Sequence, residues 1–131
     1  MKTRLTRRSA GGVVIVPLLA ILAACGDKQI PEAARQEAQQ KFTTFCSTCH
    51  GVDGTGNGPG SAGLPVKPRN YTDAAWQKTV TDEHIEKTIL KGGAATGLSP
   101  LMPPNADLEG KPDVVRALRE IVRNFAKPDG K

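Results

Sequence analysis

Aromatic residues are scarce: one Trp, one Tyr and three Phe in 131 residues. A chain of this length holds one domain at most. With so little aromatic volume its core is thin, and folds of this size often depend on a staple. No stretch alternates apolar and polar residues with the period of two that marks a strand, and no internal repeat is present. The glycine-rich run Gly51-Val52-Asp53-Gly54-Thr55-Gly56-Asn57-Gly58-Pro59-Gly60 lacks the lysine of a phosphate-binding loop and does not join a strand to a helix, which excludes that reading. The excess of positive charge is local. The chain has 18 Lys+Arg against 13 Asp+Glu, net +5, but Lys2, Arg4, Arg7 and Arg8 all lie in its first few residues. Without those four bases the charges nearly balance, so the basic composition is no argument for nucleic-acid binding.

Those first basic residues precede an apolar run, Val13 to Ala24, interrupted only by Pro17. The run is too short to span a bilayer and has the flanks of a cleavable signal. It ends in Leu22-Ala23-Ala24-Cys25. Small residues before a cut suit any signal peptidase. A cysteine at the cut resembles the lipobox of bacterial lipoproteins, in which that sulfur takes a diacylglycerol before cleavage. The expected organisation is a lipoprotein signal peptide over residues 1–24, a lipidated tether over 25–30 and a folded domain over 31–131. The protein is then exported and anchored to a membrane, facing the periplasm or the cell exterior. The competing reading is an ordinary secretory signal cut nearby, with Cys25 lost or free. Arg7-Arg8 is not followed by the apolar continuation of a twin-arginine signal. Gly26 follows Cys25 where the common inner-membrane retention signal has Asp, which leaves the choice of membrane open.

Helical signals dominate the rest. Pro31 and Glu32 open a helix expected to run to Cys49, with Ala34, Ala38, Phe42 and Phe45 as one narrow apolar face. A short helix is expected around Asp73 to Lys78. A further helix spans Asp82 to Lys91, with Thr81 as N-cap, Val80 and Ile85 as a hydrophobic staple, and Gly92-Gly93 closing it. The last helix is expected from Pro112 to about Ala126, with Val114, Leu118, Ile121, Val122 and Phe125 as its apolar stripe. The fold class is all-α: short helices and long loops wrapped around something.

Cys46-Ser47-Thr48-Cys49-His50 has the C-x-x-C-H spacing of haem attachment. Two thiols two residues apart on a helical turn both reach the vinyl groups of one haem, and the next residue places an imidazole under the iron. A zinc site wants four ligands, and the only other histidine is the distant His84. A thioredoxin-like pair expects a preceding strand, but the preceding segment reads as helix. Each cysteine then has a use, Cys25 for lipid and Cys46 and Cys49 for haem, and no disulfide is required.

A second axial ligand is needed for a six-coordinate iron. Met102 is the only methionine after Met1. It lies in Pro100-Leu101-Met102-Pro103-Pro104, where two prolines forbid helix and stiffen an extended backbone. A lone methionine is more often a gap-filler, but next to C-x-x-C-H this one is assigned to the iron. His84 is the rival, expected to face solvent.

With these elements in order, the chain resembles the class I cytochrome c family over nearly all of its length after the signal. The resemblance implies a class I cytochrome c fold around one covalent haem c. It also implies that a carbonyl of the turn at Gly58-Pro59 accepts a hydrogen bond from His50. Arg69 and Trp76 would approach the haem propionates, and the terminal helices would cross, Ala38 and Phe42 meeting Leu118, Ile121 and Val122. The last helix lacks the family's common tyrosine or tryptophan, and Phe125 is expected to substitute. The implied function is electron transfer between a donor and an acceptor protein, with a membrane oxidoreductase among the candidate partners and no enzymatic activity. A fixed haem subunit of a larger membrane complex and a haem-based ligand sensor are the alternatives.

Overall fold

A computed structural model describes residues 29–126. The signal at 1–24 and Cys25 lie outside the described residues. Among the described residues five α-helices are present: α1 (Glu32–Lys41), α2 (Ser47–His50), α3 (Ala74–Thr79), α4 (Asp82–Lys91) and α5 (Pro112–Asn124). Short 3-10 turns at Pro59–Ser61, Ala94–Thr96 and Ala106–Leu108 interrupt the connecting loops. No strand occurs among the described residues, in line with the all-α expectation.

Local chemistry explains most of the boundaries. Pro31 caps α1, where its missing N–H costs nothing, and its carbonyl accepts from Ala34 and Arg35. Asp73 caps α3 through a side-chain oxygen that accepts from the amides of Ala75 and Trp76. Thr81 caps α4 as expected, its hydroxyl accepting from His84 N. The α4 helix ends at Gly92, whose φ of 78° is the left-handed region that favours glycine.

The first helical run departs from expectation. Between α1 and α2 the chain forms a π-helical turn, Phe42–Cys46, closed by the Ser47 amide on the Phe42 carbonyl. That i→i+5 bond widens the turn and shifts every later side chain around the axis. Phe45 therefore leaves the apolar face and is 66% exposed, under the Lys41 ammonium. Cys46 takes the inward place and packs against the core.

The core lies where α1 packs on α5. Ala38 is fully buried, and its small side chain lets the helices approach. Phe42 meets Phe125 at 5.5 Å between ring centroids. Phe125 thus supplies the aromatic contact that the last helix otherwise lacks. Leu108 and Leu118 are the largest fully buried side chains, each worth about 1.5–3 kcal/mol on burial. Ile30 also joins the cluster, so the folded part begins inside the stretch expected to be tether.

The α4 helix packs on α5 and is clasped to it by charge. Asp82 pairs with Arg119 and, at 2.6 Å, with Arg123. Arg123 also donates to the carbonyls of Gln77 and Val80. This clasp joins α3, α4 and α5 at one end.

Candidate functional site

His50 closes α2 and is buried. Its two nitrogens have different partners. Nδ1 lies 3.2 Å from the Arg69 carbonyl. A carbonyl only accepts, so Nδ1 carries the proton and Nε2 keeps its lone pair. The Tyr71 hydroxyl lies 3.2 Å from Nε2 and donates to it. Burial pushes the imidazole pKa down, against a smaller opposing effect of the Arg69 carbonyl. The ring is therefore neutral near pH 7 with a directed lone pair, the form that binds metal.

Cys46 and Cys49 precede His50 on the same run, and both are free, partly buried thiols. Burial raises the Cys46 thiol above its ordinary range, partly offset by Lys41. This keeps its sulfur protonated. A thiol adds across a vinyl group with sulfur going to one carbon and the proton to the other, and no oxidant is needed.

The structure moves one expected contact. The His50 hydrogen bond assigned to the Gly58-Pro59 turn is made by Arg69 instead. The reason lies in Gly58, whose amide donates to the Cys49 carbonyl at 3.1 Å. A Cβ there would lie 2.4 Å from the Thr48 carbonyl. The turn is pressed onto the α2 backbone, and the Pro59 carbonyl serves its own 3-10 turn.

Arg69 and Trp76 are brought together, the guanidinium 5.4 Å from the indole ring centroid. Arg69 also pairs with Asp73 at 2.7 Å. Between them lies the residue that sequence reasoning left without a role. Tyr71 is buried, stacks on His50 at 4.5 Å and 9°, and stands 5.8 Å from Trp76 and 6.0 Å from Phe125 between centroids. Burial holds its phenol protonated, far above the ordinary range. The available signal was that a buried tyrosine seeks a partner for its hydroxyl, and this is the chain's only tyrosine.

Met102 stands on a separate support. It is partly buried, and its carbonyl accepts from Gly93 N at 3.0 Å. Gly93 also accepts from Leu98 N, and Asn105 bonds the Leu90 and Ile89 carbonyls through its amide and side chain. The loop thus hangs from the end of α4. A Cβ on Gly93 would lie 2.0 Å from the Ser99 carbonyl. His84, the rival ligand, is exposed.

The donor types suit a covalent haem: two thiols and a neutral imidazole on one helical run, with a methionine thioether on a separate loop. The Nε2 lone pair is held by the Tyr71 hydroxyl, which would have to leave it for the nitrogen to hold iron. A helical chain with such a set falls in the class of c-type haem proteins. Its residues 36–116, more than half of the chain, match the family model for cytochrome c, and the chain belongs to that family. No curated protein matches it. Membership carries the class I cytochrome c fold, a covalent haem c for which Cys46 and Cys49 fit, and the family's general role as a haem-based electron carrier with redox partners.

Proposed function

We propose that this chain is a monohaem electron carrier, exported and held at a membrane through lipid on Cys25. Cys46 and Cys49 bind the haem vinyl groups, and His50 and Met102 ligate its iron. The observation that carries the reading is the polarisation of His50. With Nδ1–H bonded to the Arg69 carbonyl, Nε2 carries no proton and its lone pair accepts from the Tyr71 hydroxyl, one residue after the second thiol. The haem iron supplies the one-electron chemistry. The chain's part is to hold the ring neutral and oriented, to exclude water with the Tyr71, Trp76 and Phe125 rings, and to offer a soft sulfur that favours the ferrous state. Arg69 and Trp76 are the side chains proposed for the propionates. Periplasmic or cell-surface location is proposed from the basic start, the apolar run Val13 to Ala24 and the Leu22-Ala23-Ala24-Cys25 sequence, and a membrane oxidoreductase as partner from the resemblance together with that anchor.

Haem staining of a denaturing gel tests attachment. Wild-type protein should stain, while the double variant Cys46→Ala, Cys49→Ala should not. The near-infrared charge-transfer band of a ferric methionine-ligated haem tests the sixth ligand. It should be present in wild type and absent in Met102→Ala, with a lowered reduction potential. A band that survives Met102→Ala removes Met102 from the iron. Cys25→Ser should release the protein from membranes with its haem intact. An unmodified N-terminus downstream of Cys25 in the wild type refutes the anchor.

A further inference from the structure

Two hydroxyl groups join α4 to the loop that carries Met102. Thr88 is buried in the last turn of α4, and its hydroxyl lies 3.1 Å from the Thr96 hydroxyl. Thr96 closes the 3-10 turn Ala94–Thr96, and its hydroxyl reaches the Gly93 carbonyl at 3.1 Å and the Gly92 carbonyl at 3.4 Å. A carbonyl only accepts, so the Thr96 proton points at the glycines and Thr88 is the donor to Thr96. The bonds therefore run in one direction, from helix to loop, and each polarises the next. They end on the residue that holds Met102. The Gly93 carbonyl also accepts from Thr96 N at 3.0 Å and Leu98 N at 2.8 Å, while the Gly93 amide donates to the Met102 carbonyl at 3.0 Å. A Cβ on Gly92 would lie 2.9 Å from the same Met102 oxygen. Any movement of residues 92 and 93 thus reaches the Met102 backbone directly.

We propose that the Thr88 and Thr96 hydroxyls form a relay that keeps the loop closed and Met102 in place, with both threonines as positioning residues. This rests on the reading that Met102 ligates the haem iron. The relay pins residues 92 and 93 to the buried side of α4, and its loss lets the loop swing out more often while α4 itself stays packed on α5.

The test uses the ferric holoprotein. At low cyanide the rate of cyanide binding follows the fraction of molecules with the loop open. Thr88→Val keeps the branched shape and removes the first donor. It should speed cyanide binding about fivefold, equivalent to about 1 kcal/mol, the net worth of one hydrogen bond. Thr96→Val removes both bonds of the relay and should speed binding more. Thr96→Ser keeps the hydroxyl and should bind at close to the wild-type rate. Adding Thr88→Val to Thr96→Val should speed binding no further, because Thr88 acts only through Thr96; effects that simply add overturn the relay. On heating, each valine variant should lose the near-infrared methionine band at a lower temperature than wild type, with the helical melt little changed. Band and helix shifting together, or cyanide rates equal to wild type, show the threonines to be packing only and overturn the proposal. A wild type without the band removes Met102 from the iron and takes the relay with it, so the two failures are distinct. If Thr96→Val does not fold, the Thr96 hydroxyl proton of the wild-type ferrous protein decides. It should exchange slowly and show a nuclear Overhauser contact to Thr88, and exchange at the rate of a free hydroxyl counts against the relay.

Discussion

His50 ends a helical run that begins at Pro31, whereas Met102 sits in a loop that hangs from the last turn of α4. The first is reached through short-range geometry. One helical turn carries both thiols and the imidazole, and the π-turn before it aims Cys46 inward. The second is reached through fit between distant pieces: glycines 92 and 93 admit the backbone of residues 99–104, which an added Cβ would block. The helical side draws on the α1–α5 core, and the loop side on a few backbone hydrogen bonds. The loop should therefore open at lower free-energy cost than the whole fold. With Met102 as the proposed sixth ligand, its release should precede unfolding on heating, read as loss of the near-infrared band before loss of helical circular dichroism.

The largest expected effect comes from breaking the helical side. Phe42 is buried, stands in the π-turn and meets Phe125. Phe42→Ala should cost about 3–5 kcal/mol of global stability, the range for large aromatic truncations in a core. Because the haem-bearing run is part of that core, the band and the helicity should then be lost closer together. A melting temperature within a degree or two of wild type would mean that the α1–α5 crossing does not limit stability.

The loop side breaks differently. Gly93→Ala places a Cβ against the Ser99 carbonyl, a backbone atom that moves only with the loop. Overpacking of this kind costs about 1–3 kcal/mol, relieved here by detaching the loop. The variant should keep its covalent haem and most of its helicity, yet lose the methionine band at room temperature and bind cyanide faster. A band of full intensity would show that the loop adapts around the added methyl group.

What the sequence disclosed follows the same division. The helix boundaries at Asp73, Thr81 and Pro112 were legible because caps and prolines act on their neighbours. The Cys46-Cys49-His50 constellation was legible because its spacing is its geometry. The π-turn was not: nothing in Phe42-Thr43-Thr44-Phe45 announces an extra residue, and the helical period put Phe45 on the wrong face. The acceptor of the His50 bond was also out of reach. It is a main-chain carbonyl 19 residues away, and no side chain advertises it. Met102 could be singled out, but the reason its loop is held, the close approach at Gly92 and Gly93, appears only in three dimensions.

The smallest expected effect falls on the joint between the two sides. Asp82, at the start of α4, pairs with Arg119 and Arg123 of α5. It thereby connects the helix that carries the methionine loop to the helix that packs on the haem-bearing run. Partial burial pushes the Asp82 carboxyl up, but hydrogen bonds and charge from Arg123 and Arg119 outweigh this and hold it below the ordinary range. A carboxyl depressed in the folded state stabilises fully above the unfolded value, about 3.9. That contribution is lost as the pH falls through the folded value. The pair is partly exposed, with 39% of the Asp82 side chain accessible, so solvent screening limits it to about 1 kcal/mol or less. Asp82→Asn should therefore melt slightly below wild type at neutral pH, and the gap should close in acid. Because Asn keeps hydrogen bonds to the arginines, helicity should be unchanged, and the loss should show first in the methionine band. A gap that persists unchanged well below the ordinary carboxylate range would mean that Asp82 acts through packing, and that charge does not couple the two sides.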